Sequence, residues 1–375
     1  MTQDLHTYRE IMQQPCMWMR AYENVCSARD EIKSFRDKYL KAGYQVVLTG
    51  AGTSAYIGDA LEAALRNTAF KGARAIATTD ILTAPELYFG KDSKVLLVSF
   101  ARSGNSPESV GTVKAVEKTA GEVAHIFITC NAQGELAKMK GDNILSLLLP
   151  PETNDASLAM TSSYSTMLLV AAMVADIDNI QADGAHIKAV ADAVEKSLAK
   201  YNTEIRDIAS RQFNRAVFLG SGALKGVAEE SRLKLQELTD GAVMCAFDSF
   251  LGFRHGPKAI VKEDSLMVYL LSPDPKVLRY ELDLIRQVKS NNNVKASVIV
   301  CGTKPSASIL DPVCYDLCVE TGLPDSIPPA FGAVSQVFVA QLLGFYKSID
   351  CGLCPDSPSV SGNISRVVEG VTLYI

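Results

Sequence analysis

The N-terminal forty residues carry apolar positions at helical spacing with charges between them, as in Arg20-Ala-Tyr-Glu and Glu31-Ile-Lys-Ser-Phe-Arg-Asp-Lys-Tyr-Leu. This predicts helices over 1–40 that pack on a larger body. From about residue 41 the texture changes to short β-branched runs ending in Gly or Ser, each followed by an Ala-rich helical stretch. Such alternation predicts a parallel sheet covered by helices. The expected strands are Gln45–Thr49, Ala75–Thr79, Lys94–Phe100, His125–Thr129 and Ile144–Leu149. A second series follows at Arg215–Leu219, Ser265–Leu271, Lys295–Val300 and Cys314–Val319, while Ala246–Arg254 reads as a loop rich in aromatics and glycine.

Gly50-Ala-Gly52 and Gly220-Ser-Gly222 lie 170 residues apart, and the later strands fall at about the same offset. The pattern therefore predicts an α/β chain built as a tandem pair of doubly wound parallel-sheet domains, with N-terminal helices. The expected organisation is N-terminal helices at 1–40, a first sheet domain at 41–186, a polar linker helix at 187–211, a second sheet domain at 212–350 and a tail at 351–375.

Composition narrows the function. The 375 residues are 47% hydrophobic and 21% charged, enough for two cores. A formal net charge of −5 argues against the broad basic surface that nucleic-acid backbones require, so small molecules are the expected partners. Neither a basic segment leading into an apolar one at the start nor a run of ~18 apolar residues is present, which predicts a cytoplasmic protein without a membrane partner. The nine cysteines, an odd number scattered from Cys16 to Cys354, read as reduced thiols. Cys314, Cys318, Cys351 and Cys354 have the count for a zinc site. The Cys314–Val319 segment instead reads as a buried strand in which cysteine acts as a small apolar residue, and no metal is expected.

In doubly wound sheets ligands collect beyond the carboxyl ends of the strands. Two loops there stand out. Gly50-Ala-Gly52-Thr53-Ser54 places hydroxyls and backbone N–H groups at a helix start, and Arg102-Ser103-Gly104-Asn105-Ser106-Pro107 adds hydroxyls, a glycine turn and a guanidinium. A helix N-terminus with hydroxyls and one arginine suits a phosphate monoester. Plain helix capping is the competing reading of these Ser and Thr residues. A dinucleotide fits less well, because position 55 is Ala where the third glycine of G-x-G-x-x-G would fall, and no phosphate-loop sequence ending in Gly-Lys-Ser/Thr occurs.

The second half lacks that cradle. Its helix places Glu230, Lys234 and Glu237 on one face, which by itself reads as a solvated salt-bridge ladder. The following turn, Phe253-Arg254-His255-Gly256-Pro257-Lys258, supplies a titratable imidazole. A carboxylate base and an imidazole near a phosphate site are the parts needed to enolise a carbon beside a carbonyl.

Taken together, Gly52-Thr53-Ser54, Arg102-Ser103-Gly104-Asn105-Ser106-Pro107-Glu108-Ser109, Leu233-Lys234-Leu-Gln-Glu237-Leu-Thr and Gly252-Phe-Arg-His255-Gly-Pro257-Lys258 resemble the sugar isomerase (SIS) family. Leu48-Thr-Gly-Ala-Gly-Thr-Ser, Ala159-Met-Thr-Ser-Ser163 and Asn363-Ile-Ser-Arg-Val-Val-Glu-Gly-Val are most similar to its galactosamine-6-phosphate deaminase/isomerase group, long labelled tagatose-6-phosphate ketose/aldose isomerase. The resemblance implies flavodoxin-like SIS domains and a sugar-phosphate substrate. It implies that Gly52, Thr53, Ser54, Ser103 and Ser106 hold the 6-phosphate, with Arg102, Thr161 and Ser162 nearby. It further implies that Glu237 moves a proton between C1 and C2, that His255 assists ring opening from a neighbouring subunit of a homodimer, and that Lys234 lies in the same site. Ala101 stands where the related aminotransferase has a serine, and Arg366 is the nearest basic candidate for that enzyme's C-terminal lysine.

The resemblance brings no metal or organic cofactor. It also brings no glutaminase half, and Thr2 stands where such a half would begin with a nucleophilic cysteine, so ammonia release is the expected direction. The expected reaction converts galactosamine 6-phosphate to tagatose 6-phosphate and ammonia. Ketose/aldose isomerisation without deamination, deamination of glucosamine 6-phosphate and a non-catalytic sugar-phosphate sensor are the alternatives.

Overall fold

The computed structural model describes residues 2–291, 293–305, 315–368 and 370–374. The chain divides into two compact units. One comprises Cys16–Asp155, Met160–Ile187 and Ser365–Ile375, and the other Met1–Pro15, Ala156–Ala159 and Lys188–Ile364.

The first unit is organised on strands β1 (Gln45–Thr49), β2 (Arg74–Ala75), β3 (Lys94–Ala101), β4 (Glu122–Thr129) and β5 (Ile144–Leu148). They pair in parallel in the order β2-β1-β3-β4-β5. Their near-continuous Val/Ile/Leu runs suit strands buried on both faces. The second unit has β6 (Arg215–Leu219), β7 (Met244–Asp248), β8 (Ser265–Leu270), β9 (Ala296–Cys301) and β10 (Leu317–Glu320). Its parallel order, β7-β6-β8-β9-β10, is the same, so each sheet reverses direction between its first and third strands. Two doubly wound α/β sheets are thus what the hydrophobic pattern predicted.

Several local expectations change. Of the stretch expected as the strand Ala75–Thr79 only Ala75 lies in β2; the Ile76 and Thr78 N–H groups still donate to the Leu48 and Gly50 carbonyls, but Thr78–Thr83 turns into a helix with Asp80 in its first turn. The stretch read as a loop at Ala246 is instead the edge strand β7, where Met244 is left 61% exposed. His125 does not head its strand but lies within β4, wholly buried, with burial lowering its pKa. The linker helix is longer than predicted, Ile180–Ala209, and includes His186. Cys314 lies outside the described residues. Cys318 is in β10 with its Sγ 3.9 Å from that of Cys301, while Cys351 and Cys354 are exposed. By composition Pro329–Asp350 is long and apolar enough to cross a membrane, but 83% of that window is buried within the chain.

The N-terminal helices are shared between the units. His6–Met12 sits in the second, where the Tyr8 ring lies 5.4 Å from that of Phe345. Arg29–Lys41 belongs to the first and meets the C-terminal end of the wholly buried helix Ser162–Ala175. There Arg36, itself 2% exposed, donates to the carbonyls of Val174 and Ala175 and pairs with Asp178. The other end of the same helix is closed by Asp155, whose carboxylate accepts from the N–H groups of Thr161 (2.8 Å), Ser162 (3.2 Å) and Ser163 (3.0 Å). An anion at the N-terminus and a cation at the C-terminus satisfy the orphan backbone groups and match the helix dipole, which lets so apolar a helix be buried along its length.

In the second unit the helix Ala223–Leu238 packs against Val337–Asp350 at Gly344. A Cβ there would meet the Leu238 side chain at 2.8 Å and the Lys234 carbonyl oxygen at 3.1 Å. Gly344→Val should therefore lower the unfolding free energy by about 1–3 kcal/mol through overpacking. An unchanged urea midpoint would show that the two helices do not need this close approach.

Candidate active site

In the first unit the switch point lies between β1 and β3, which are hydrogen-bonded neighbours as far as the Thr49–Ser99 pair. The two loops singled out in the sequence leave these adjacent strands. After β1, Gly52 precedes the helix Thr53–Leu61 with φ 55° and ψ −129°, a conformation that favours glycine. Thr53 and Ser54 occupy the first turn, 4% and 5% exposed. After β3, Gly104 also has positive φ, and Ser106 starts the helix Pro107–Thr119 by accepting from the Ser109 N–H at 3.2 Å. Its hydroxyl donates to Ser109 Oγ at 2.7 Å, so Ser106 is a helix cap in this structure. The Ser103 hydroxyl accepts from the Asn105 N–H at 3.3 Å.

Two asparagines to which the sequence reading gave no part, Asn105 within the loop and Asn131 after β4, hold this second loop. Asn131 Nδ2 donates to the Ser103 carbonyl at 2.9 Å, and Asn105 Oδ1 accepts from the Glu135 N–H at 2.9 Å. They latch the loop after β3 to the loop after β4.

The remaining candidates of this unit gather around Asp155. Thr161 and Ser162 are wholly buried, with their N–H groups directed to its carboxylate. The Arg366 guanidinium donates to the Asp155 carbonyl (2.9 and 2.6 Å) and to Asn154 Oδ1 (3.0 Å). Arg102 in turn donates to the Arg366 carbonyl. Burial raises the pKa of Asp155, against the opposing pull of Ser163 and Arg102. The sequence reading did not single out Asp155.

The second unit holds the Glu230, Lys234 and Glu237 face on Ala223–Leu238. It is not a solvated ladder, contrary to the reading from the helix alone. Lys234 and Glu230 are both 0% exposed, and the Lys234 ammonium lies 3.3 Å from Glu230 Oε1 and 2.7 Å from Glu237 Oε2. Burial works to lower the lysine pKa, but the two carboxylates prevail and raise it. Glu237 keeps 22% of its side chain exposed, so the ladder has one end accessible.

His255 follows the short helix Phe250–Phe253, whose buried aromatics anchor the turn; Phe250 stacks on Tyr269 with ring centroids 6.0 Å apart. Its imidazole is exposed and has no hydrogen-bond or ion-pair partner among the described residues. The structure thus joins Lys234 to Glu237 directly and leaves His255 projecting from the same unit. Among the described residues no group of three or more His, Cys, Asp or Glu side chains is arranged to hold a metal.

One buried acid was unforeseen. Glu281, on the helix Pro275–Asn291, is 0% exposed, and its Oε2 accepts from the Ser272 N–H at 2.9 Å. Burial pushes its pKa up to about 7, against the Ser272 and Ser221 hydrogen bonds.

A doubly wound sheet with hydroxyl-bearing turns at its switch point defines the class of protein, and the SIS domain family matches residues 38–177. Over its whole length the chain is 38% identical to the D-galactosamine-6-phosphate deaminase AgaS of Shewanella sp. (strain ANA-3), covering 98% of this chain and 91% of that protein. It is 37% identical to the Escherichia coli protein of the same name, covering 98% and 95%. Among solved structures, the tagatose-6-phosphate ketose/aldose isomerase of Escherichia coli is similar with a TM-score of 0.89 at 33% identity, over 99% of this chain and 97% of that one. The chain belongs to the SIS-domain family that includes the AgaS proteins.

Two outcomes test the electrostatics. Lys234→Met leaves Glu230 buried without its cation and should destabilise the protein by about 3–5 kcal/mol, with most of the loss recovered in the Lys234→Met/Glu230→Gln double variant. Equal losses in single and double variants would contradict the pairing. For Glu281 the raised folded-state pKa means a stabilising contribution present below the ordinary carboxylate range and lost as pH rises through about 7. Glu281→Gln should then gain on the order of 1–3 kcal/mol over wild type at pH 8 and little at pH 4. A variant-minus-wild-type stability difference that does not vary with pH would refute this.

Proposed function

We propose that the protein is an amino-sugar-phosphate deaminase/isomerase that converts galactosamine 6-phosphate to tagatose 6-phosphate and ammonia. The reading rests above all on Glu237, a carboxylate tied to a wholly buried lysine at 2.7 Å yet left partly accessible, in a chain similar throughout to AgaS deaminases. The substrate's 6-phosphate is assigned to the turn at Gly52, Thr53 and Ser54 and the loop Arg102, Ser103 and Ser106, which suit a dianion through hydroxyls and helix N-termini. Thr161, Ser162 and Arg366 take a supporting part through Asp155, which holds all three.

In this scheme His255 assists opening of the pyranose to the free aldehyde. Glu237 then removes the proton from C2, and the electron pair forms the C1–C2 double bond of an enolamine as the C1 carbonyl oxygen is protonated. Return of the proton to C1 gives a ketose carrying a protonated imine at C2. Water adds at C2, the C–N bond breaks, and ammonia and the C2 ketone of tagatose 6-phosphate are released. Lys234 holds Glu237 Oε2, so Oε1 is the oxygen that carries the proton.

The enzyme is further assigned to the cytoplasm, in keeping with free thiols at every described cysteine, and to a homodimer in which His255 serves the neighbouring subunit. The exposure of the His255 imidazole and its lack of a partner among the described residues favour that role. The matching strand orders, and Gly222 at φ 59° and ψ −128° beside Gly52 at 55° and −129°, favour an internal duplication as the origin of the two units. Isomerisation without deamination is the second reading, favoured by the name of the similar Escherichia coli isomerase structure.

Acid–base transfer by a placed side chain is worth ~10²–10⁴-fold, so Glu237→Gln should lose at least two decades in kcat with KM little changed. An ammonia-coupled assay on galactosamine 6-phosphate and glucosamine 6-phosphate measures this and the epimer preference together. Near-wild-type turnover in the variant would sink the assignment of Glu237; absence of ammonia from either epimer, with tagatose 6-phosphate still isomerised, would favour the second reading.

A further inference from the structure

The last two strands of the second sheet bring two thiols together. β10 pairs in parallel with β9, with Cys318 opposite Ile299 and Glu320 opposite Cys301. Cys301 and Cys318 are therefore two residues out of register. Because side chains two apart point to the same face of a sheet, they are diagonal neighbours on one face. Their sulfurs are 3.9 Å apart, and both side chains pack on the apolar cluster that includes Tyr269 and Ile299. The pair is asymmetric. Cys301 is 3% exposed, whereas Cys318 is half-buried on the sheet's edge strand.

The surroundings favour charge on one sulfur only. The Cys318 thiol has its pKa lowered, first by its hydrogen bond with Cys301, which holds the proton, and then by the Lys304 and Lys200 ammonium groups; burial and Glu320 oppose this. The same hydrogen bond, with burial, raises the pKa of Cys301. The Cys301 sulfur also lies 3.8 Å from the Val319 carbonyl oxygen, a second acceptor for its proton. The loop that carries Lys304 is tied to β10, since the Lys304 N–H donates to Glu320 Oε1 at 3.1 Å. A thiolate, not a thiol, attacks a peroxide oxygen, and a second thiol within reach converts the product to a disulfide. Cys318 has the character of the attacking sulfur and Cys301 that of the resolving one.

We propose that Cys301 and Cys318 form a dithiol that a hydroperoxide oxidises to an intramolecular disulfide. The Cys318 thiolate attacks a peroxide oxygen and the O–O bond breaks. Cys318 becomes a sulfenic acid, and the departing oxygen takes up the proton that Cys318 gave up on ionising. The Cys301 sulfur then attacks the Cys318 sulfur, the S–O bond breaks, and the hydroxide leaves as water with the Cys301 proton. The two sulfurs lose two electrons in all and the peroxide gains them. A thiol reductant restores the pair by exchange. Closing the gap from 3.9 Å to the ~2.05 Å of a disulfide draws the strands together. β10 can yield because it is four residues long and is hydrogen-bonded to a strand on one side only. The site is independent of the reaction proposed above.

The test treats the reduced full chain with hydrogen peroxide, removes the excess with catalase, alkylates the remaining thiols and maps all nine cysteines by tandem mass spectrometry. The wild type should lose two thiols, joined in a bond between Cys301 and Cys318, and regain both with dithiothreitol. Loss of the Cys318 thiol should be at least about threefold faster than loss at the exposed Cys16, Cys351 and Cys354, because the rate follows the thiolate fraction. Cys301→Ser should accumulate a sulfenic acid at Cys318 that dimedone traps, and Cys318→Ser should leave Cys301 unoxidised. A bond from Cys318 to any other cysteine overturns the proposal, as does oxidation of the exposed thiols while Cys301 and Cys318 stay free, or oxidation of Cys301 at the wild-type rate in Cys318→Ser. If a serine variant fails to fold, the wild-type map and its order of thiol loss decide alone.

Discussion

The ammonium of Lys234, enclosed between two carboxylates, constrains everything around it in the second unit. Taking a lysine wholly out of water carries a desolvation penalty of several kcal/mol, which one imperfect partner does not offset. Here Glu230 lies at 3.3 Å and Glu237 at 2.7 Å on successive turns of one rigid helix, so neither carboxylate needs a flexible segment to reach the charge. The close approach at Gly344 seals the helix on one side. Hydrophobic residues of the same volume would be no less stable, so this arrangement is better understood as fixing the position and charge of Glu237 than as holding the unit together.

The first unit solves a related problem with charges at helix ends. Asp155 and Arg36 close the two termini of Ser162–Ala175, a helix with no exposed residue. The same Asp155 that satisfies those N–H groups also presents its carbonyl to Arg366, whose own carbonyl receives Arg102. A structural cap is thereby continuous with the arginine beside the hydroxyl cradle. The two units share a strand order and nearly the same backbone at Gly52 and Gly222, yet their strand-end chemistry diverges: hydroxyls beside an arginine in one, mainly apolar side chains with Ser221, Ser272 and Asp274 in the other.

The sheets were legible because their central strands are continuous apolar runs; β1 and β6 fall on the predicted residues. Two of the four edge strands were not, since β2 is only two residues long and β7 has an exposed Met244 and nearby glycines that resemble a loop. The cradle loops could be read from local glycine and hydroxyl spacing. The burial of Lys234 could not, because it depends on Gly344, more than a hundred residues away in sequence. Asp155 and Glu281 escaped notice because their burial, and the turns that aim nearby backbone N–H groups at them, leave no mark in the apolar pattern.

The account depends most on Glu237 as the base that takes the proton from C2. Galactosamine 6-phosphate carrying deuterium at C2 tests this directly when loss of the label is followed by NMR. The wild type should release the label from C2 at the turnover rate, and Glu237→Gln should retain it, with loss slowed by about a hundredfold or more. Loss of the C2 deuterium at the wild-type rate in Glu237→Gln would contradict the account.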